Sequence, residues 1–343
     1  MQVAPPKSTS IVGVVAKLGR REFLKAAGLL GAAGGIAGCT SDGSRDSAGG
    51  LGPTRSTSAS PSAGRSSVAL PNPRPWSPST YDVSPGVKAR AVGLVETAAT
   101  WEPGDGGSDN GRRRLTEAGY AGDLVDDLGP VLGAGVAAVA HVVVAQYGGI
   151  LDDSASVLVV VDQWVLHEDD GVQSRGTTLD IRLVVDKPQW RVTAVRPARP
   201  GRDIVELSRP ARRLLASDRV TLPQAAASDI RAGEINDVVL DALLSLSVLH
   251  QLDVSILRSG HPLMVFGTDR VSNHTEGLAV DIWALDRRPV IDSGDSPSVA
   301  DFMKAAVDVG AYQVGGPTDP DGAGETYFSD DTHEDHIHLG FTT

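Results

Sequence analysis

The stretch Asp330-Asp331-Thr332-His333-Glu334-Asp335-His336-Ile337-His338-Leu339-Gly340-Phe341 carries three of the chain's eight histidines, and its reading decides the fold of the C-terminal part. Ile337, Leu339 and Phe341 alternate with His336, His338 and Gly340, which is the period of a strand with one face buried. On such a strand His336 and His338 project to the same side about 6.6–7 Å apart, so one can bind a metal ion while the other acts beside it. A complement lies upstream in Ser272-Asn273-His274-Thr275-Glu276-Gly277-Leu278-Ala279-Val280-Asp281-Ile282, which offers His274 and Asp281. Gly277 permits a turn between His274 and a strand, L-A-V-D-I-W-A-L, on which Asp281 projects opposite to Val280 and Ile282. Three nitrogen or oxygen ligands and one position left for water are what a mononuclear hydrolytic zinc requires.

Working outward, Asn236–His250 predicts an amphipathic helix with Val239, Leu243, Leu246 and Leu249 on one stripe and Asn236 or Asp237 capping its start. Leu252–Leu257 alternates as a strand, and Arg258-Ser259-Gly260-His261-Pro262 turns it. Asp301–Val309 reads as a packing helix, and Tyr312–Gly316 leads into the loop before Phe328. Gly201–Ala232 is a polar, Arg-rich connection with one short helix over Pro210–Ala216.

Residues 82–200 form a different pattern. Val87–Trp101 has apolar residues at helical spacing, and further helices are expected in Arg114–Leu128 and Val131–Tyr147, although His141–Ala145 can also extend. Ser156–Trp164, Thr177–Val185 and Gln189–Val195 are β-branched and separated by polar turns, as three antiparallel strands would be. Trp164 and Trp190 are read as core aromatics, and His141 and His167 as incidental. The expected fold class is α+β in two domains: a cone of helices and curved antiparallel sheet at 82–200, serving as a spacer or interaction module, and an α+β domain with a small antiparallel sheet at 201–343.

Composition bounds the setting. The chain has 343 residues, a net charge of −12 and one cysteine, so it excludes an intrachain disulfide and a Cys-rich metal site and is unlike a nucleic-acid binder. Arg20-Arg21-Glu22-Phe23-Leu24-Lys25 precedes a mildly apolar Gly/Ala run that ends at Ile36-Ala37-Gly38-Cys39, the order of charged region, short apolar region and small-residue cleavage site in an export signal. The paired arginines resemble a twin-arginine signal over residues 1–38, and the last four residues resemble a lipobox in which Cys39 is lipidated. Residues 39–81 are rich in Ser, Gly, Pro and Thr and are expected to be a disordered tether. The protein is therefore expected to be exported and lipid-anchored on the outer face of the cytoplasmic membrane, in the cell envelope.

The 272–282 segment resembles the S-x-H-x-x-G-x-A-x-D-[IL] pattern of the D-alanyl-D-alanine carboxypeptidases and dipeptidases, which share their core with lysostaphin-type enzymes and the murein endopeptidase. His336-Ile337-His338 resembles their second element, H-x-H. The resemblance implies Zn2+ held by His274, Asp281 and His338, with His333, Asp335 and His336 similar to the endopeptidase's H-x-D-H-x-H cluster and Asp335 or His336 as general base. Asp335 stands three residues before the last ligand, where the carboxypeptidases place a catalytic acid. It further implies a zinc-dependent peptidase acting on peptidoglycan stem peptides. The chain departs from that family at Ser259-Gly260-His261-Pro262, where the family has Ser-Gly-Tyr-Arg; Arg258, Arg270 and His261 are the candidates to replace its oxyanion-stabilising arginine. Residues 82–200 resemble, in element order alone, the cones of the nuclear transport factor 2 and SnoaL type. The rival expectation is a non-catalytic envelope lipoprotein whose metal stabilises a fold that binds peptidoglycan or a protein partner.

Overall fold

Two β-sheets, each covered on one side by its own helices, face one another through a small apolar layer. The computed structural model describes residues 69–343 apart from Ala134, Asp170, Asp295 and Ala323. The expected twin-arginine signal, the lipidated Cys39 and residues 39–68 of the expected tether lie outside the described residues. Among the described residues no helix is long and apolar enough to cross a membrane. The tether expected to reach residue 81 ends earlier: Trp76 packs half-buried against the first core, and the Ser79 hydroxyl donates to Asp292 Oδ1 at 2.7 Å. One indole in a polar stretch has enough apolar surface to seat it.

The first lobe begins with α1 (Pro85–Ala99) and α2 (Ser108–Glu117), followed by a four-stranded antiparallel meander of β1 (Ala137–Ile150), β2 (Ser154–His167), β3 (Gly171–Asp186) and β4 (Gln189–Pro197). The helix expected over Arg114–Leu128 instead starts earlier and stops at Gly119. That glycine has φ +76°; Tyr120 N–H donates to Leu115 O and Gly119 N–H to Thr116 O, a Schellman cap. The helix expected over Val131–Tyr147 is strand β1. Val139, Val142, Val143 and Val144 lose side-chain freedom in a helix and gain packing in a sheet. One face of the sheet, including Val157, Val159, Leu179 and Ile181, packs on α1. Trp190 borders that core as expected, whereas Trp164 stacks on His141 outside it.

The second lobe contains α3 (Arg209–Leu215), α4 (Gln224–Arg231), α5 (Asp237–Leu246) and α6 (Pro297–Asp308). Its seven-stranded sheet runs β10 (Tyr327–Phe328), β9 (Gln313–Gly315), β11 (Ile337–Gly340), β7 (Ala279–Leu285), β6 (Leu252–Ile256), β5 (Val220–Thr221), with β8 (Arg288–Pro289) paired to β7. The expected antiparallel sheet is confined to the centre, since both edge pairs, β10 with β9 and β5 with β6, are parallel. Helix α4 and strands β5, β9 and β10 lie in stretches read as connections, because elements this short carry too few residues to show a period. Asn236 caps α5 by accepting Val238 N–H at 3.1 Å, while Leu249, expected on its buried stripe, is beyond the helix end and exposed. The chain must turn there to enter β6.

Leu158 and Val160 of β2, with Val144 of β1, form a separate cluster with Ile256 of β6, and Trp283 of β7 borders it. This layer joins the two sheets on the face of the meander away from α1. We expect Leu158→Ala, which opens a cavity between the sheets, to cost about 2–5 kcal/mol in urea unfolding; a cost near zero would mean the layer contributes little.

Candidate metal centre

Strand β11 pairs antiparallel with β7 so that His338 lies opposite Asp281 and Leu339 opposite Val280. Opposed residues share a face, and the other face buries Ile337, Leu339, Val280 and Ile282 completely. His274 comes from a tight turn in which the N–H groups of Thr275, Glu276 and Gly277 bond to the carbonyls of Ser272, Asn273 and His274. Gly277 ends the turn with φ +69°, and a Cβ there would lie 2.1 Å from Glu234 O, so only glycine fits.

These elements bring His274, Asp281 and His338 together. His274 Nε2 is 3.1 Å from Asp281 Oδ1 and 3.1 Å from His338 Nδ1, and His338 Nδ1 is 2.9 Å from Asp281 Oδ1. His274 Nδ1 lies 2.7 Å from the Leu257 carbonyl. A carbonyl only accepts, so Nδ1 carries a hydrogen and Nε2 is the nitrogen turned toward the carboxylate. Lone pairs and a carboxylate oxygen meeting at this range repel unless a proton or cation lies among them. Ligands of a tetrahedral zinc with bonds of about 2.0 Å stand about 3.3 Å apart, so the donor set and its spacing fit that ion.

A wider donor set includes His261. Its ring stacks on His274 with centroids 4.1 Å apart, and donor atoms of His261, His274 and Asp281 lie within 4.8 Å of one another. The set with His338 is tighter and is the one both strands hold in register. His261 Nδ1 bonds to Pro262 O at 2.8 Å, so its other nitrogen presents a lone pair. Arg258, a candidate to replace the missing arginine, is instead tied to Glu234 at 2.8 Å and to Thr275 O at 3.2 Å. Arg270 lines the cleft.

Asp335 and His336 sit beside this point and are almost wholly buried. His336 Nδ1 donates to Asp335 Oδ1 at 2.6 Å, leaving Nε2 at 3.7 Å from Asp281 Oδ2. Asp335 Oδ2 accepts Tyr147 N–H at 3.0 Å and pairs with Lys88 Nζ at 2.6 Å. His333 is held by Asp330 at 2.7 Å, edge-on to Phe328, with its ring centroid 5.2 Å from that of His336. A cleft of about 640 Å³ opens over the group, lined by Tyr147 and Gly149 of the first lobe and by Phe266, Arg270, His333 and His336 of the second, within the usual size of ligand sites.

Charge is balanced inside the cluster. Burial pushes the Asp281 carboxyl up, but His274 and His336 hold it well below the usual carboxylate range. Burial likewise opposes ionisation of Asp335, and the Lys88 ammonium with His336 outweighs it, so its pKa falls. His336 is raised by Asp281 and Asp335 against its burial. Burial lowers His338 to about 4 and His261 well below its ordinary value.

Three contributors escaped the sequence reading: Lys88, Gln146 and the Tyr147 N–H, all from the first lobe. Gln146 Nε2 donates to Asp281 Oδ2 at 2.7 Å. One signal was present for Lys88, which stands at i, i+4, i+7 and i+11 with Val92, Val95 and Ala99 on a buried stripe of α1.

No family model matches the chain, and no curated protein does. Among solved structures, a nuclear transport factor 2-like superfamily protein from Salmonella enterica serovar Typhimurium is similar over 36% of this chain and 85% of its own length, at 12% identity and a TM-score of 0.21.

A pH dependence follows for the metal-free chain. His338 and His261 are neutral when folded and take up protons on unfolding below about 6.5, so the unfolded state binds more protons. The contribution of His338 and His261 should be full above pH 6.5 and fall as pH drops toward about 4, with a smaller loss in His338→Gln, while the raised His336 contributes in the opposite sense, its part being lost as pH rises above 6.5. Equal melting temperatures across that window would show that His338 is not buried neutral.

Proposed function

We propose that this protein is a zinc-dependent peptidase acting on amide bonds of peptidoglycan stem peptides, in the manner of the D-alanyl-D-alanine carboxypeptidases or the murein endopeptidase. The observation that carries the reading is the convergence of His274 Nε2, Asp281 Oδ1 and His338 Nδ1 within 3.1 Å of one another at the floor of an open cleft. A closed structural site would have no such cleft beside it, which favours catalysis over the rival reading of a metal-stabilised binding lipoprotein.

His274, Asp281 and His338 would hold the ion, which when bound supplies Lewis acidity to a water and to the substrate carbonyl. His336 reaches the cleft with Nε2 and is the group placed to take a proton and return it to the leaving amine. Asp335 has both oxygens engaged and does not line the cleft, so it orients His336. His261, with its hydrogen directed to Pro262 O, has no donor to offer developing negative charge. Arg270 is the cation that lines the cleft, and it takes the oxyanion role that the departure at Ser259–Pro262 leaves open. The twin-arginine-like segment and Cys39 support action at the outer face of the cytoplasmic membrane.

The test is bound zinc together with release of new amino groups from purified peptidoglycan. We expect about one zinc per chain and hydrolysis that chelation abolishes. His338→Ala should lose both zinc and hydrolysis, and Arg270→Ala should retain zinc while losing roughly 10²–10³ in kcat. Zinc binding without cleavage of any wall peptide would transfer the reading to the binding lipoprotein.

A further inference from the structure

The first lobe reaches the metal centre by two separate routes. Strand β1 is an edge strand of the meander, and its pairing with β2 slips between Tyr147 and Gly149, leaving Gly148 as an extra residue. A bulge of this kind re-aims the residues beside it. Gln146 points away from the first core and, fully buried, donates Nε2 to Asp281 Oδ2 at 2.7 Å. Tyr147 turns its ring into that core and gives its N–H to Asp335 Oδ2. From α1, Lys88, 1% exposed, bridges Asp335 and Asp82. Neither contact fills a packing need: an aliphatic residue would bury more cheaply at both places.

We propose that Gln146 and Lys88 are positioning residues of the metal centre, so that the cone-like lobe completes the site. Gln146 occupies Asp281 Oδ2 and thereby leaves Oδ1 as the single oxygen turned toward His274 and His338. Its Oε1 has no partner among the described residues, so the amide is held in this buried place through its bond to Asp281. Lys88 and the Tyr147 N–H occupy Asp335 Oδ2, leaving Oδ1 to receive His336 Nδ1–H. That bond selects the imidazole tautomer and aims Nε2 at the cleft. The two routes thus set two different things, which oxygen of Asp281 faces His274 and His338 through Gln146, and the orientation of His336 through Lys88. This inference rests on the zinc-peptidase reading but is separable from it, because the first route acts on metal affinity.

The experiment uses the full chain. Zinc affinity is measured by competition with a chromophoric chelator, and the melting temperature is measured without metal, for wild type and Gln146→Met. The expected result is affinity weakened about 10–100-fold together with a lowered metal-free melting temperature, because Asp281 Oδ2 loses a buried donor; a purely structural glutamine would lower the melting temperature and leave the affinity at the wild-type value. Lys88→Met leaves Asp335 buried and unpaired and can fail to fold, so Lys88→Arg and the charge-neutral pair Lys88→Met with Asp335→Asn accompany it. The neutral pair should bind zinc as wild type does while kcat on peptidoglycan peptides falls about 10–100-fold at constant KM, and Lys88→Arg, which leaves Asp335 in place and paired, should keep most of the wild-type kcat. Wild-type affinity in Gln146→Met overturns the assignment of Gln146, and wild-type kcat in the neutral pair overturns that of Lys88. If wild type binds zinc but cleaves nothing, the peptidase reading and the Lys88 assignment fall and the affinity arm alone decides Gln146. If wild type binds no zinc, both proposals fall.

Discussion

Asp281 is an ionised carboxylate on the central strand of a sheet, 1% exposed, where water cannot solvate it. A charge in that position costs several kcal/mol unless it is paired and fully hydrogen-bonded. Much of the surrounding architecture answers that requirement. His274 arrives from a turn that only Gly277 can close, His338 from the neighbouring strand in register, His336 from the residue before that strand, and Gln146 from the other lobe. The groups come from three separate segments, so the carboxylate ties the C-terminal sheet to its loops and both to the first lobe.

Asp335 repeats the arrangement one layer further out. It is buried, acts on His336 through one oxygen, and is compensated at the other by a lysine from α1 and a backbone N–H from an edge strand. Lys88 would itself be costly to bury, yet Asp335 and Asp82 raise its pKa and keep it charged. The apolar layer around Leu158 brings the sheets together, and these charged contacts then determine how the first lobe meets the site. Unlike the apolar layer, they tolerate little displacement, because a hydrogen bond weakens steeply with distance and angle.

Much of the second lobe was legible in its residues. Alternation at Ile337, His338 and Leu339, the run Ala279–Leu285 and the cap at Asn236 each reported a local preference that packing reinforced. The meeting of His274, Asp281 and His338 was expected from the resemblance of their two segments to a known pattern, and the three side chains do come together. Where the expectations failed, the competing physics is identifiable. Val131–Tyr147 has a helical apolar spacing, but its β-branched side chains favour a sheet once a partner strand is present. Short strands such as β5 and β10 exist only because a neighbour supplies their hydrogen bonds. The expected role of residues 82–200 as a spacer was drawn from the lack of any polar cluster within them, and their contributions to the site are single residues that face another lobe.

By itself the sequence determined that His274, Asp281 and His338 are residue types that can ligate a metal, the face of each strand on which Asp281 and His338 lie, and the turn that presents His274, since these depend on residue type, period and the freedom of glycine. The place of His261 beside them came from the fold. Only the tertiary structure decided which oxygen of Asp281 is turned toward His274 and His338, which nitrogen of His336 is bound to Asp335, and that Arg258 is committed to Glu234 while Arg270 lines the opening. The physical reason is separation along the chain. Gln146 and Asp281 are 135 residues apart and Tyr147 and Asp335 are 188 apart, and no local period carries information about a hydrogen bond that forms only after two independently patterned sheets have packed.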